Sequence, residues 1–151
     1  MRPELIYVEL KSGYSDNGPA WIGKAEYSKS GRMLYFNGMA LRRLQRRQNF
    51  ETHANPETGD YYWVSGVKKD QTDRHWAGSG VIMIDRAVLS EYLSYVGAST
   101  LSKTKYKVVP LEDNTRIRAK ANAMENRTIA NQASHATSEP APGAASSSRE
   151  G

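Results

Sequence analysis

The sequence predicts a mainly β (α+β) fold: a small, strongly bent antiparallel sheet or a partly open barrel, with one short helix and a disordered C-terminal tail. Three observations predict it. Between Leu5 and Val109, short runs rich in β-formers alternate apolar and polar positions, and Gly, Pro, Asn and Asp separate them. One stretch alone, Arg86 to Val96, shifts to helical spacing. Beyond Leu111 the apolar residues become isolated, and from Ser134 onward Ala, Ser, Pro, Gly and Glu dominate. Such a segment cannot bury enough surface to offset its ordering entropy. The expected boundaries are therefore a β-rich domain over 1–110 and a flexible low-complexity tail over 111–151.

Leu5-Ile6-Tyr7-Val8-Glu9-Leu10 reads as a first strand, with Ile6, Val8 and Leu10 on one well-buried side. Gly13 to Pro19 is dense in turn formers and reads as a loop. A second strand is expected from Trp21 to about Tyr27, then a tight turn at Lys29-Ser30-Gly31 and a third strand over Arg32–Phe36. Gly31 supplies the positive φ that such a hairpin needs. Asn37-Gly38 offers a further turn into Met39-Ala40-Leu41. The periodicity leaves Arg42–Arg47 open between strand, loop and helix.

Asn55 to Asp60 is another turn cluster, and Tyr61–Val67 is an aromatic, β-branched run expected near the centre of the sheet. Lys68–Asp73 reads as a hairpin tip, with a return strand through Arg74-His75-Trp76, a Gly78-Ser79-Gly80 break, and Val81–Ile84. Asp85 is a suitable N-cap for the helix; Val88, Leu89, Tyr92, Leu93 and Val96 form its apolar stripe, and Gly97 stands where it should stop. Tyr106–Val109 can add a last strand, blunted by Pro110. Five or six short strands and one helix form an architecture shared by SH3-like and OB-like barrels, which does not assign a function.

Composition narrows the chemistry. The chain has no cysteine, so nothing staples its loops, and a reducing cytoplasm suits it. No apolar run approaches the roughly 20 residues that span a bilayer, so no membrane association is expected. The three histidines show no ligand spacing and the serines no nucleophile elbow. No metal, cofactor or catalytic residue is assigned. Residues 1–110 hold 16 Lys/Arg against 11 Asp/Glu, whereas 111–151 hold five of each. The net charge of +5 therefore sits on the predicted domain, which favours anionic partners.

Two groups of residues carry the candidate chemistry. Arg42, Arg43, Arg46 and Arg47, with Tyr62 and Trp76, would track phosphates while the rings stack on unpaired bases. The plainer reading makes the arginines a solvated loop and the tyrosines cross-strand pairs, worth a few tenths to about 1 kcal/mol each. Asp73, Arg74 and His75 would line a pocket, His75 serving as general base or anion ligand. The plainer reading makes His75 a strand residue that packs or bonds locally. Gly78-Ser79-Gly80 would expose amides to a phosphate or, more simply, form a bulge.

Tyr14 to Gly23 (YSDNGPAWIG), Tyr62 to Lys69 (YWVSGVKK) and Asp73 to Gly80 (DRHWAGSG) resemble a family of short uncharacterised bacterial proteins. The resemblance covers roughly Leu5 to Val96. A name sometimes transferred to such proteins, deoxyxylulose phosphate synthase, belongs to large thiamine-diphosphate enzymes with a Gly-Asp-Gly motif. This chain has only Gly59-Asp60-Tyr61, in a turn. The resemblance implies a small bacterial module and supplies no catalytic residue. The expectation is a non-enzymatic binding or accessory module with a protein partner. The alternative is a single-stranded nucleic-acid binder, and a third reading is an enzyme centred on His75. Arginines and rings on one face would favour nucleic acid; a concave pocket around His75 would favour a ligand or chemistry.

Overall fold

The computed structural model describes residues 4–14, 16–48, 51–75 and 78–123. In chain order the strands are β1 (Leu5–Leu10), β2 (Ala20–Lys24), β3 (Glu26–Tyr27), β4 (Met33–Phe36), β5 (Met39–Gln48), β6 (Glu51–Ala54), β7 (Tyr61–Gly66), β8 (Ile82–Asp85) and β9 (Tyr106–Val109). They form one sheet in the order β3-β4-β5-β6-β7-β1-β2-β8-β9. A 3₁₀ turn (Arg86–Val88) and helix α1 (Leu89–Val96) lie between β8 and β9. The mainly β fold with one short helix in the sheet region is as the sequence predicts. The chain divides after Ile117, and residues 118–123 beyond it are helical. The rest of the expected tail, from 124, lies outside the described residues.

The hairpins follow from turn chemistry. Gly31 takes φ +76°, and the β4–β5 turn sets Asn37 at +50° and Gly38 at +76°, a pair of positive values that an Asn-Gly dipeptide accommodates. Asp85 caps the helical segment by accepting from the Ala87 amide at 3.1 Å, and Gly97 ends α1 in the left-handed region. The aromatic strand β7 is the middle strand of the nine.

Curvature comes from the second predicted strand. It divides at Ala25, whose amide donates to the Glu4 carbonyl at 2.7 Å and whose methyl is fully buried. β2 pairs with β1 while β3, one residue further on, pairs with β4. Five strands separate β2 from β3 in the ladder. The sheet must therefore curl until its two halves meet along this segment, although the ladder itself is not closed. A Cβ on Gly23 would stand 3.0 Å from the Phe36 ring, which shows how closely β4 approaches β2.

The curl buries both faces of β1. Ile6 and Val8 join Ala25, Leu34, Phe36, Leu41 and Tyr62 in one cluster; Tyr7 joins Ala20, Ile22, Ile82, Ile84, Val88 and Tyr92 in the other. The expectation of one buried side on β1 is thus corrected. Tyr7 and Glu9, placed on its outer face, are 0 % and 1 % exposed.

Two further expectations change, and one left open is settled. No strand runs through Arg74–His75, and β8 does not return beside β7. It crosses to the far side of β2, and the β2–β8 and β8–β9 pairs are parallel. The sheet is consequently mixed, the parallel pair β8–β9 being joined through the 3₁₀ turn and α1 as parallel strands require. β5 extends to Gln48, which places Arg42–Arg47 on a strand, and pairs with β6, a strand that Glu51-Thr52-His53-Ala54 does not announce by apolar alternation. Finally, residues 111–114, assigned to the tail, are tied to the β4–β5 turn. Glu112 donates its amide to Asn37 Oδ1 and Asn114 Oδ1 accepts the Gly38 amide, each at 2.8 Å. Leu111 packs against the cluster that holds Phe36.

Gly23→Ala should cost about 1–3 kcal/mol, because the added methyl overpacks the contact with Phe36. Gly66→Ala, where a Cβ meets nothing within 4 Å, is the control and should change stability by less than about 0.5 kcal/mol. Urea denaturation of both variants checks the difference.

Candidate ligand-binding site

Two loops lock together at the end of β1. Arg74 donates through Nη1 to the Asp16 carbonyl at 2.8 Å and through Nη2 to the Gly18 carbonyl at 3.0 Å. Asn17 Oδ1 accepts from the Ser79 amide at 2.7 Å and from its hydroxyl at 3.0 Å. Gly78 passes so close to Asp16 that a Cβ there would lie 2.2 Å from the Asp16 carbonyl oxygen. Only glycine allows that approach. Two of the three segments quoted for the resemblance thus meet side by side, and Trp63 and Lys68 of the third share a cavity with them.

Beneath the loops lies a buried charged network. Glu9, 1 % exposed, accepts from the Tyr7 hydroxyl at 2.6 Å and from Lys11 Nζ at 2.9 Å; Arg74 Nη1 lies 3.5 Å from its Oε2. Lys11 also donates to Asp16 Oδ1 at 2.9 Å. That bond holds the Asp16 carboxyl below its ordinary value. Burial, and then the bond to Glu9, push the Tyr7 phenol upward, so it stays a donor. His75 Nδ1 is 3.5 Å from Asp16 Oδ2, with the His75 side chain 41 % exposed.

This network forms part of the wall of a cavity of about 790 Å³. Asp73, Arg74 and His75 all line it, so the structure brings the sequence-predicted pocket residues together. On another side stand Gln71, whose amide nitrogen reaches the Tyr92 and Tyr106 hydroxyls at 3.5 and 3.4 Å, and Trp63 of β7. Asp73, 6 % exposed, receives the Lys68 amide on Oδ1 at 2.8 Å, while its Oδ2 has no partner among the described residues. Burial raises its carboxyl above the ordinary value. Arg74 Nε is likewise buried without a partner. No family model, curated protein or solved structure matches the chain. The site is therefore read from its own geometry.

The other predicted group is not assembled in the same way. Tyr62 is buried, 5 % exposed, and its hydroxyl donates to Met39 Sδ at 3.4 Å, so it offers no stacking face. Arg42, Arg43 and Arg46 are exposed on β5. Trp76 and the side chain of Arg47 lie outside the described residues. Tyr7 and Tyr35 are likewise core residues, and Trp21 packs against the core.

Sequence reasoning missed Glu9, Lys11, Gln71 and Trp63 as site residues. Glu9 carried a signal: an acid two positions from Tyr7 inside an otherwise apolar strand. Gln71 carried none, as one polar residue in a polar loop, and neither did the Thr104–Tyr106 wall of the cavity, which only the β8–β9 crossover brings there.

Arg74→Ala should destabilise the protein by about 3–5 kcal/mol, since it leaves Glu9 short of a cation in a buried site. Lys24→Ala, which removes an exposed pair with Glu91, should cost less than about 1 kcal/mol. Chemical denaturation distinguishes them. A second prediction concerns pH. A carboxyl whose folded pKa is raised favours the folded state below that pKa, and the gain disappears as pH climbs through it. Asp73→Asn keeps the acceptor for the Lys68 amide and removes that cost. The variant should match the wild type near pH 4 and melt above it at pH 7; equal melting temperatures at pH 7 would contradict the assignment.

Proposed function

We propose that this chain is a non-enzymatic binding module that takes a small, uncharged, hydrogen-bonding ligand into the cavity between the 11–19 and 68–81 loops. The observation that carries this reading is the Asp73–Arg74 pair. Both side chains are more than nine-tenths buried at the cavity wall, and each retains one polar atom without a partner. Buried groups left unsatisfied cost about 1–3 kcal/mol each, a cost that packing alone does not call for and that marks this wall as a functional one. The cavity volume falls in the range of small-molecule sites.

The charge balance supports an uncharged ligand. Lys11, Lys68, Arg74 and Lys105 face Glu9, Asp16 and Asp73, and Lys11 and Arg74 are already committed to the acids and to backbone carbonyls. What remains toward the interior is a mixture of hydroxyls, an amide and one indole ring. That mixture suits a ligand with many hydroxyl or amide groups and one apolar face, such as a saccharide or nucleoside. A protein partner, the expectation from sequence, would meet an edge strand or an apolar patch instead. The cavity is the more specific feature and directs the reading to a small molecule. The lack of cysteine suits work in a reducing bacterial cytoplasm, and among the described residues no helix is long and apolar enough to cross a membrane.

The test is an amide-resolved NMR titration of the full chain with a panel of neutral saccharides and nucleosides. Saturable shifts confined to residues 16–18, 71–75 and 78–81, lost in Thr104→Val or Gln71→Leu, are the expected result. A panel that leaves these amides unmoved at millimolar concentrations overturns the reading.

A further inference from the structure

Gln71, in the loop between β7 and β8, stands in the left-handed region at φ +63°. The other non-glycine residue there among the described residues is Asn37, in its Asn-Gly turn. Asparagine is enriched in that region because its short amide bonds locally; glutamine is not. The turn itself is braced by other groups. The Gln71 amide donates to the Lys68 carbonyl at 3.1 Å, and the Asp70 and Asp73 carboxylates accept from the Thr72 and Lys68 amides. Glycine or asparagine would close it with less strain. A strained residue held by its surroundings directs attention to the use of its side chain.

That side chain is fixed at one end. Its Nε2 lies 3.5 Å from the Tyr92 hydroxyl and 3.4 Å from the Tyr106 hydroxyl, and the two hydroxyls are 3.3 Å apart. Both N–H groups of the amide are therefore directed at the tyrosines. Tyr92 comes from α1 and Tyr106 from β9, and both are buried, so two elements hold the amide in place. Oε1 accepts no bond among the described residues. Nor is it one of their enclosed, unpartnered atoms, which are Asp73 Oδ2 and Arg74 Nε. With Gln71 on the cavity wall, Oε1 is an open acceptor beside the cavity.

We infer that Gln71 selects the ligand of this cavity, taking a planar heterocycle with an exocyclic amino group, such as cytidine or adenosine, over its carbonyl counterpart. The inference rests on the reading of the cavity as a site for a neutral, hydrogen-bonding ligand, and it chooses between the two classes named there. A sugar hydroxyl both donates and accepts, so an acceptor of fixed polarity does not tell one saccharide from another. Amino and carbonyl groups on a heterocycle have one polarity each. A fixed acceptor bonds the amino group and opposes the carbonyl, whose oxygen would face another oxygen. Trp63, partly buried and also lining the cavity, supplies a flat ring on which a heterocycle stacks.

The experiment is an NMR titration of the full chain with cytidine against uridine and with adenosine against inosine. Each pair exchanges an amino group for a carbonyl at one position. Wild type should bind the amino member about tenfold more tightly, the worth of one neutral hydrogen bond. Gln71→Met should bring that ratio to near unity, and so should Gln71→Asn, which suits the backbone but withdraws the amide by one methylene. Gln71→Glu, whose carboxylate accepts from the tyrosine hydroxyls and keeps an oxygen toward the cavity, should retain it. A purely structural role for Gln71 would leave the ratio unmoved in all three. Equal affinity within each pair, a preference for uridine and inosine, or a Met variant with the wild-type ratio overturns the inference. Binding of neutral saccharides alone overturns it while leaving the reading of the cavity standing; amides unmoved by nucleosides and saccharides alike overturn both.

Discussion

The demand that one short segment serve two distant parts of a ladder shapes everything else. Ala20–Lys24 is hydrogen-bonded to β1 and Glu26–Tyr27 to β4, so the intervening strands have to curl round. Gly23 and Ala25 make this possible. One has no side chain where the Phe36 ring approaches, and the other has a methyl small enough to be fully enclosed. The curl creates two cores on opposite faces of β1. A strand buried on both sides can hold a polar group only where partners come from its neighbours.

Glu9 is that group. It sits at the end of β1 where the apolar cluster gives way to loops, and its neighbours supply a phenol, an ammonium and a guanidinium. Arg74 ties this charge to the backbone of the opposite loop. It holds Arg74 and His75 away from the strand geometry that their composition invites. The chain then passes over to β2 and forms parallel pairs through β8 and β9. The cavity is a by-product of that crossing: its walls come from β1, β7, the two locked loops and the start of β9. The same crossing leaves residues 111–114 near the β4–β5 turn, where side-chain amides and carbonyls bind them to it.

Much of the fold was legible from local chemistry. β1 has the limits read from its β-formers, the Gly31 and Asn37-Gly38 turns are where their dipeptides place them, and the helical segment begins at Asp85 and stops at Gly97. The site was legible in part. Asp73, Arg74 and His75 line a cavity, while Tyr62, chosen as an exposed ring, is interior. Period-two alternation states which residues share a face. It does not state whether that face meets water or a second layer, and a curled sheet gives both faces a second layer. β6 escaped notice for a related reason: its pairing with β5 is a backbone matter, and Glu51-Thr52-His53 has no apolar face to advertise it.

The sequence by itself determined where the chain turns, which runs extend, and where the helix begins and ends. Each of these depends on φ preferences, capping and periodicity within a few residues. Only the tertiary structure decided that β8 crosses to β2, that β1 is buried on both sides, and that Glu9 shares a site with a loop more than 60 residues away. Those outcomes depend on which strands find one another across long separations, where the balance is struck by burial and by polar groups seeking partners. No short stretch of residues encodes that balance.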